Sequence, residues 1–401
     1  MQLLLYSLVA VFAFDGATAL PSENASVSID STLTYCLLPE FQGNVTENFI
    51  DTSTTNVTTS NLFASAKNAV FISYDQEFLD IIGPNPSLKF IEQRNYSFAN
   101  EAGIWVPDRD EAWFTSSSIN ESTSISVLNL NTSKVHSLNT SIPIVNANGG
   151  YYFNGKVYFV ADGNATVAPS VYAVDPQDGS TTVVINNYFG LRFNGPNDMT
   201  WVKRGSKSYM FFTDDPLSYI YDGGQIPVLT DAVWRYDPQE QSLVPVISRA
   251  DIVVPNGITV NANQTKLYVT DTTPISPADA GAGANRTAGS NAIYSFDLDE
   301  DLFPINKRLL GIARTGIPDG LHVDDYGRIW TGESEGIVVR NPRGKVIGLF
   351  NAETILDDQS IPIANFALAG DVLVLLASKR LWTLKLAQNL VSPDRYWTDA
   401  P

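Results

Sequence analysis

Six acid or amide side chains recur along the 401 residues, at Glu101, Asn148, Asn197, Asn256, Asp319 and Asn365, spaced by 47, 49, 59, 63 and 46 positions. Each opens a short apolar run: NEAGIWV, NANGGYYF, GPNDMTWV, VPNGITV, IPDGLHV and IANFAL. A matching polar residue follows thirteen to seventeen positions later, at Ser116, Asp162, Asp214, Asp271, Glu333 and Ser378. Oxygen donors gathered from separate repeats suit a hard cation, and calcium tolerates about six to eight irregular oxygen ligands. A nitrogen and sulfur zinc site does not fit a chain whose histidines are His136 and His322 and whose one cysteine is Cys36. If each opening sits at the inner end of a strand, Glu101, Asn197 and Asn256 point to a common axis. Asp271, at the end of a second strand, returns to the same rim and completes that metal set. Asn148 and Asp319 share the register and suit substrate binding or support of the ligands. Taken singly, Pro-Asn-Gly and Pro-Asp-Gly are also ordinary turn sequences; it is the sixfold recurrence that argues for a shared site.

The elements that must position these groups follow from the period. Units of this length cannot bury their own faces and must stack on neighbours. After each opening the chain reads as strand, tight turn, strand, then two more strands, a four-stranded antiparallel meander. The fifth unit is the clearest, with strands at 321–324, 328–331, 336–340 and 345–350 and turns at Asp325-Tyr326-Gly327 and Asn341-Pro342-Arg343-Gly344. No helix-length amphipathic period competes. The expected fold is all-β, a six-bladed β-propeller of four-stranded antiparallel blades, whose closure hides strand edges. The last unit runs out after three strands, and the segment 88–93 is the natural fourth. The expected organisation is a signal peptide at 1–19, a Ser-, Thr- and Asn-rich surface extension at 20–75, the propeller at 76–390 and a tail at 391–401. An Ala-, Gly- and Pro-rich stretch, 274–290, reads as a long insertion over one face of the disc.

Composition narrows the partners. With 25 basic and 43 acidic residues the net charge is −18, so nucleic acid and anionic membranes are repelled. An apolar run at 3–14 followed by Ala17-Thr18-Ala19 reads as a secretory signal, and the mature chain is expected outside the cell. Ten Asn-x-Ser/Thr sequons agree with export: Asn24, Asn44, Asn56, Asn95, Asn120, Asn131, Asn139, Asn164, Asn263 and Asn285. A single cysteine allows no intrachain disulfide.

Three stretches carry a family resemblance: FNGPNDMTW, VVPNGITVNANQTKLYVTDT and GIPDGLHVDDYGRIWTGESEGIVVRNPRGKVIG. They resemble the gluconolactonase and senescence-marker (regucalcin-like) lactonase family. YDQEFLDIIGPNPSLKFIEQ and NNYFGLRFNGPND are similar to its secreted fungal lactonohydrolase branch. The resemblance spans about residues 70–386 and implies a six-bladed propeller with one catalytic divalent ion, usually calcium, in a central pocket. It places the metal carboxylate of EGPxW on Glu101, the loosest match because Ala102 and Ile104 depart from that motif. It also places a metal amide on Asn256, the acid of TDT on Asp271, and a metal- or substrate-binding amide on Asn197.

The implied reaction is hydrolysis of a small-molecule lactone, an aldonolactone or a related hydroxy-acid lactone, to the hydroxy acid. The ion polarises the carbonyl, and Asp271 is the expected base, with Asp214 at the equivalent strand end as the alternative. His322 is a candidate proton shuttle; strand alternation sets it and Asp319 on opposite faces. His136 reads as an exposed residue of an outer strand. No G-x-S-x-G elbow supplies a serine nucleophile. Two other readings stand beside this one: a calcium-stabilised propeller that binds a glycan or protein without catalysis, and a metal-dependent esterase for acyclic esters.

Overall fold

The computed structural model describes residues 25–35, 49–52, 54–117, 122–221, 225–273, 291–358 and 362–396. The signal segment, Cys36, the sequons Asn24, Asn44, Asn120 and Asn285, the insertion at 274–290 and the end of the tail lie outside them. Among the described residues, twenty-six strands form six sheets, antiparallel except for one added strand, arranged as the blades of a six-bladed β-propeller. The innermost strands are Glu101–Val106, Ala147–Phe153, Pro196–Arg204, Pro255–Val260, Pro318–Val323 and Phe366–Ala369. The sixth blade is completed by Leu88–Gln93, which pairs antiparallel with Arg380–Lys385. This pairing ties the chain's start to its end, so the ring closes without a free seam.

Stacking supplies the core. Blades one and two share Trp113, Tyr152 and Phe159; blades two and three share Phe153, Trp201 and Phe212. Blades three and four meet at Phe211 and Ile258, and blades four and five at Ile293 and Leu321. Trp330 and Phe366 join blades five and six, and Phe114 and Leu376 join six and one. Each of the six seams thus has its own apolar cluster, as expected of units that bury their faces only against neighbours.

The segment before the first blade is more ordered than a surface wrap. Phe71–Ser73 adds antiparallel to Val346–Asn351, and Ser26–Ser28 pairs parallel to it, extending the fifth blade to six strands. Two helices flank them. Val57–Lys67 starts at Asn56, whose side chain accepts from Thr59 N, and Gln76–Ile82 starts at Asp75, which accepts from Glu77 N. Their sequence signal is weak: the first buries only Thr59, Phe63 and Ala66, too narrow a stripe to stand out. Among the described residues no helix is long and apolar enough to cross a membrane.

The other end of the central channel is plugged. Tyr396 lies edge-on to Trp105 and Tyr152 and against Tyr151, while Arg395 donates to the carbonyls of Val260 and Val323. Those residues end first strands, so the plug sits opposite the rim where the strands begin.

Candidate functional site

At the open rim the first strands do not pair regularly. The register slips between Glu101 and Ile104, Ala147 and Gly150, Pro196 and Met199, Pro255 and Ile258, and Pro318 and Leu321. A β-bulge frees a residue from the ladder and re-aims its side chain. In blades two to five the freed positions are those of Asn148, Asn197, Asn256 and Asp319. The glycines that follow are explained by crowding rather than by a turn. A Cβ on Gly149 would lie 2.5 Å from the Asn197 carbonyl oxygen, one on Gly257 2.4 Å from that of Asp319, and one on Gly320 2.5 Å from Asn365 Cγ. In blades two, four and five the bulge therefore nests against the next blade. In blade one two consecutive left-handed residues, Ala102 (φ 73°) and Gly103 (φ 67°), follow Glu101.

The bulges surround a cavity of about 240 Å3 on the propeller's rim face, lined by Glu101, Asn148, Asp162, Asn197, Asn256 and Asp319 together with Asn100, Ser116 and Asn146. Burial, and then the charge of Asp319, hold the Glu101 carboxyl well above the usual range. Burial pushes Asp319 up to about 7, against a hydrogen bond from the Asn256 side chain. Asn365 Nδ2 donates to Glu101 Oε2 at 3.4 Å, and Asn100 Nδ2 lies 3.5 Å from Oε1. The Oδ1 atoms of Asn146 and Asn148 are buried without a hydrogen-bond partner.

Two half-buried, mutually repelling carboxylates among amide oxygens form a donor set that suits a hard divalent cation. Among the described residues no group of three or more His, Cys, Asp or Glu side chains is arranged to hold a metal.

The second-strand ends divide. Ser116 and Asp162 line the cavity, whereas Asp214, Asp271 and Glu333 are not among its walls. Asp271 Oδ1 accepts from Val254 N at 3.1 Å and Thr273 Oγ1 at 2.8 Å; Asp214 Oδ1 accepts from Gly195 N at 2.8 Å. Each carboxylate thus anchors the backbone two residues before a rim amide, Asn256 or Asn197. Burial raises Asp214 to about 7. Glu333 is buried against Arg340 at 2.5 Å.

His322 also stands behind the wall. Its Nε2 lies 3.3 Å from Asn365 Oδ1 and its ring meets Phe366 edge-on at 4.9 Å; burial lowers it to about 4. The bulge after Pro318 breaks the alternation that would set His322 and Asp319 on opposite faces. His136 is exposed on the outer strand Lys134–Ser137.

Two features of the site escaped the sequence reading. Asp198, next to Asn197, accepts from Met199 N at 2.8 Å, from Ile258 N at 3.1 Å and from Gly150 N, so it links blades two, three and four. Burial raises it to about 8. The other is the threonine before the second-strand end of blades one, three and four, Thr115, Thr213 and Thr270. Thr213 Oγ1 accepts from Asp198 N and donates to the Asn256 carbonyl at 2.6 Å, and Thr115 Oγ1 donates to the Asn148 carbonyl at 3.2 Å. The signal was present as FTSS, FTDD and VTDT in three of the six repeats; Ala161, Gly332 and Ala377 stand at the equivalent position in the others.

Residues 99–354 match the family model described as SMP-30/Gluconolactonase/LRE-like region. The chain belongs to this family. Among its curated relatives is the lactonohydrolase oryH of Aspergillus oryzae, 25% identical, with 74% of this chain and 77% of that protein covered. The fold is similar to a gluconolactonase from Xanthomonas campestris, with a TM-score of 0.61 and 20% identity over 78% of this chain and 93% of that one. It is also similar to regucalcin from Agrobacterium tumefaciens, described as a calcium-binding protein, with a TM-score of 0.51 and 16% identity over 76% and 96% of the two chains.

Proposed function

We propose that this protein hydrolyses a lactone to its hydroxy acid in the rim cavity, with a divalent cation, calcium by its donors, held by Glu101, Asn197, Asn256 and Asp319. The observation that carries the reading is the pair of half-buried carboxylates, Glu101 and Asp319, set among amide oxygens in one cavity. Two such acids repel each other and are driven toward protonation unless a cation offsets them. Membership of the family and the lactonohydrolase and gluconolactonase names of relatives support the reaction class. The calcium-binding description of the regucalcin neighbour supports the ion. When bound, the ion supplies Lewis-acid polarisation of the lactone carbonyl.

The chain's own groups do the rest. Asp319 takes the proton of the attacking water, since its carboxyl lines the cavity beside Glu101. Asn146 and Asn148 offer their unpartnered oxygens to hydroxyl donors of the substrate. Asp271 and Asp214 act as positioning residues that fix the strand entries to Asn256 and Asn197. His322, neutral at pH 7, orients Asn365 against Glu101 and moves no proton to substrate.

Asp319→Asn tests the assignment: it keeps an oxygen donor but cannot accept a proton. Turnover is expected to fall at least ~100-fold in metal-replete protein. Wild-type turnover in that variant would return the base role to Asp271 or Asp214.

The same proposal includes export. The mature chain begins near Leu20 and carries glycans on Asn56, Asn95, Asn131, Asn139 and Asn263, which are exposed. An intact mass unchanged by endoglycosidase on protein from its native host would contradict this.

A further inference from the structure

A second cavity, of about 210 Å3, adjoins the first. Asp162 lines both, and the helix Leu217–Tyr221 passes between them, giving Leu217 to the first and Ser218 to the second. Three of the second cavity's polar side chains, Asn194, Arg192 and Gln225, are held by hydrogen bonds. Asn194 Nδ2 donates to the Leu229 carbonyl and Asp231, and its Oδ1 accepts from Leu229 N. Arg192 Nη2 donates to the carbonyls of Asn164 and Val167, and Gln225 Nε2 to that of Ala165.

Away from Asp162 and Ser218, the side chains left for a ligand are mainly apolar: Phe193 at the base, then Leu191, Ile226 and Val228, which are 47%, 72% and 63% exposed. Phe189, 91% exposed, is on the loop that carries Leu191 and Phe193. Solvent-facing apolar side chains gathered at the mouth of a cavity mark a binding surface rather than a stability feature. Polyol hydroxyls placed beside Phe193, Ile226 and Val228 would lose water and gain few partners.

We infer that this cavity is a subsite for an apolar substituent, so that the substrate is a lactone bearing an alkyl or aryl group rather than a bare sugar lactone. The inference rests on the lactonase reading for the ring, and on the second cavity alone for the substituent. The ring lies at Glu101 and Asp319, and the substituent passes Asp162 toward Phe193, Ile226 and Val228.

The test uses the full-length mature protein and lactones of one ring size carrying hydrogen, propyl or hexyl beside the ring oxygen. kcat/KM should rise with chain length by about fourfold per buried methylene until the cavity is filled. In Ile226→Asp/Val228→Asp, whose side chains are exposed and spare the fold, the hexyl lactone should lose at least ~10-fold while the unsubstituted ring is hydrolysed as before. Calorimetric binding of the matching open hydroxy acids should show the same chain dependence, whether or not any lactone is turned over. That separates failure of the subsite from failure of the reaction.

A flat series in wild type, in rates and in binding, overturns the inference. So does a chain-length gain that survives the double variant. Self-association abolished by the double variant, together with a flat series, makes the patch an interface between copies instead. The cavity wall also includes the Asn164 sequon, and a glycan found on Asn164 would block the mouth and overturn the subsite.

Discussion

Thr270 of blade four donates its hydroxyl to the carbonyl oxygen of Asp319 in blade five at 2.9 Å, and accepts from Gly257 N of its own blade at 2.8 Å. Thr213 repeats this one blade earlier, so the rim residues are spaced by a hydroxyl bridge rather than by their own side chains. Replacing Thr270 by Val keeps the shape and strands the Gly257 donor. Stability without metal should fall by about 1–3 kcal/mol, and calcium affinity should fall with it. Thr270→Ser should restore both. Urea unfolding in chelator and calcium titration read the two effects; a Val variant that matches wild type would remove the bridge from the account.

Ala102 holds φ 73° immediately after Glu101, where glycine would be relaxed. A left-handed alanine costs roughly 1–2 kcal/mol, part of which a glycine returns through its freer unfolded chain. Ala102→Gly should therefore raise stability by about 0.5–1 kcal/mol, seen as a higher urea midpoint with an unchanged slope. A lower midpoint would show that the Ala102 methyl group, which packs into the seam with blade two, outweighs the strain.

Burial lowers His322 to about 4, so the folded protein keeps it neutral where an unfolded chain would take a proton below about 6.5. Stability from this group is present above pH 6.5 and is lost as pH falls toward 4. The loss should reach about 2 kcal/mol at pH 5. In metal-free protein, His322→Gln should flatten the stability profile between pH 6.5 and 5. A variant as acid-sensitive as wild type would place the titration elsewhere.

The plug formed by Arg395 and Tyr396 closes the channel far from the rim. Tyr396→Ala should cost about 2–3 kcal/mol through lost aromatic packing, yet leave kcat of the folded, metal-replete enzyme within about twofold. A large fall in kcat at temperatures where the variant is folded would couple the two ends of the channel.

Much of this architecture was legible in the sequence. The repeat of rim acids and amides gave the blade count, and the missing fourth strand after Arg380–Lys385 pointed to Leu88–Gln93, where the structure has it. What pattern could not reveal was the bulge. An extra residue in each first strand decides which side chains face the axis, and it leaves no mark in the hydrophobic alternation. A reading by alternation therefore sends Asp271 inward, whereas its carboxylate is turned to Val254 N and Thr273. It also ranks Asp319 low, though Asp319 lines the cavity beside Glu101. The glycines after Asn148, Asn256 and Asp319 resemble turn residues in sequence, but close contact between blades requires them. The packing of the segment before the first blade was hidden for another reason: its helices bury few residues, and their partner strand belongs to a blade some 270 positions later.

The central claim is that the carboxylates of Glu101 and Asp319, with Asn197 and Asn256, form one cation site on which ring opening depends. Initial rates of lactone hydrolysis, measured as calcium is titrated into chelator-stripped protein, test it most directly. The account predicts no turnover without metal and full turnover at one bound ion per chain. Glu101→Gln should shift the titration to at least ~10-fold higher calcium, and Asp271→Asn should retain most of the saturated rate. Stripped protein that hydrolyses lactones at the full rate, or a Glu101→Gln curve that overlays wild type, would contradict it.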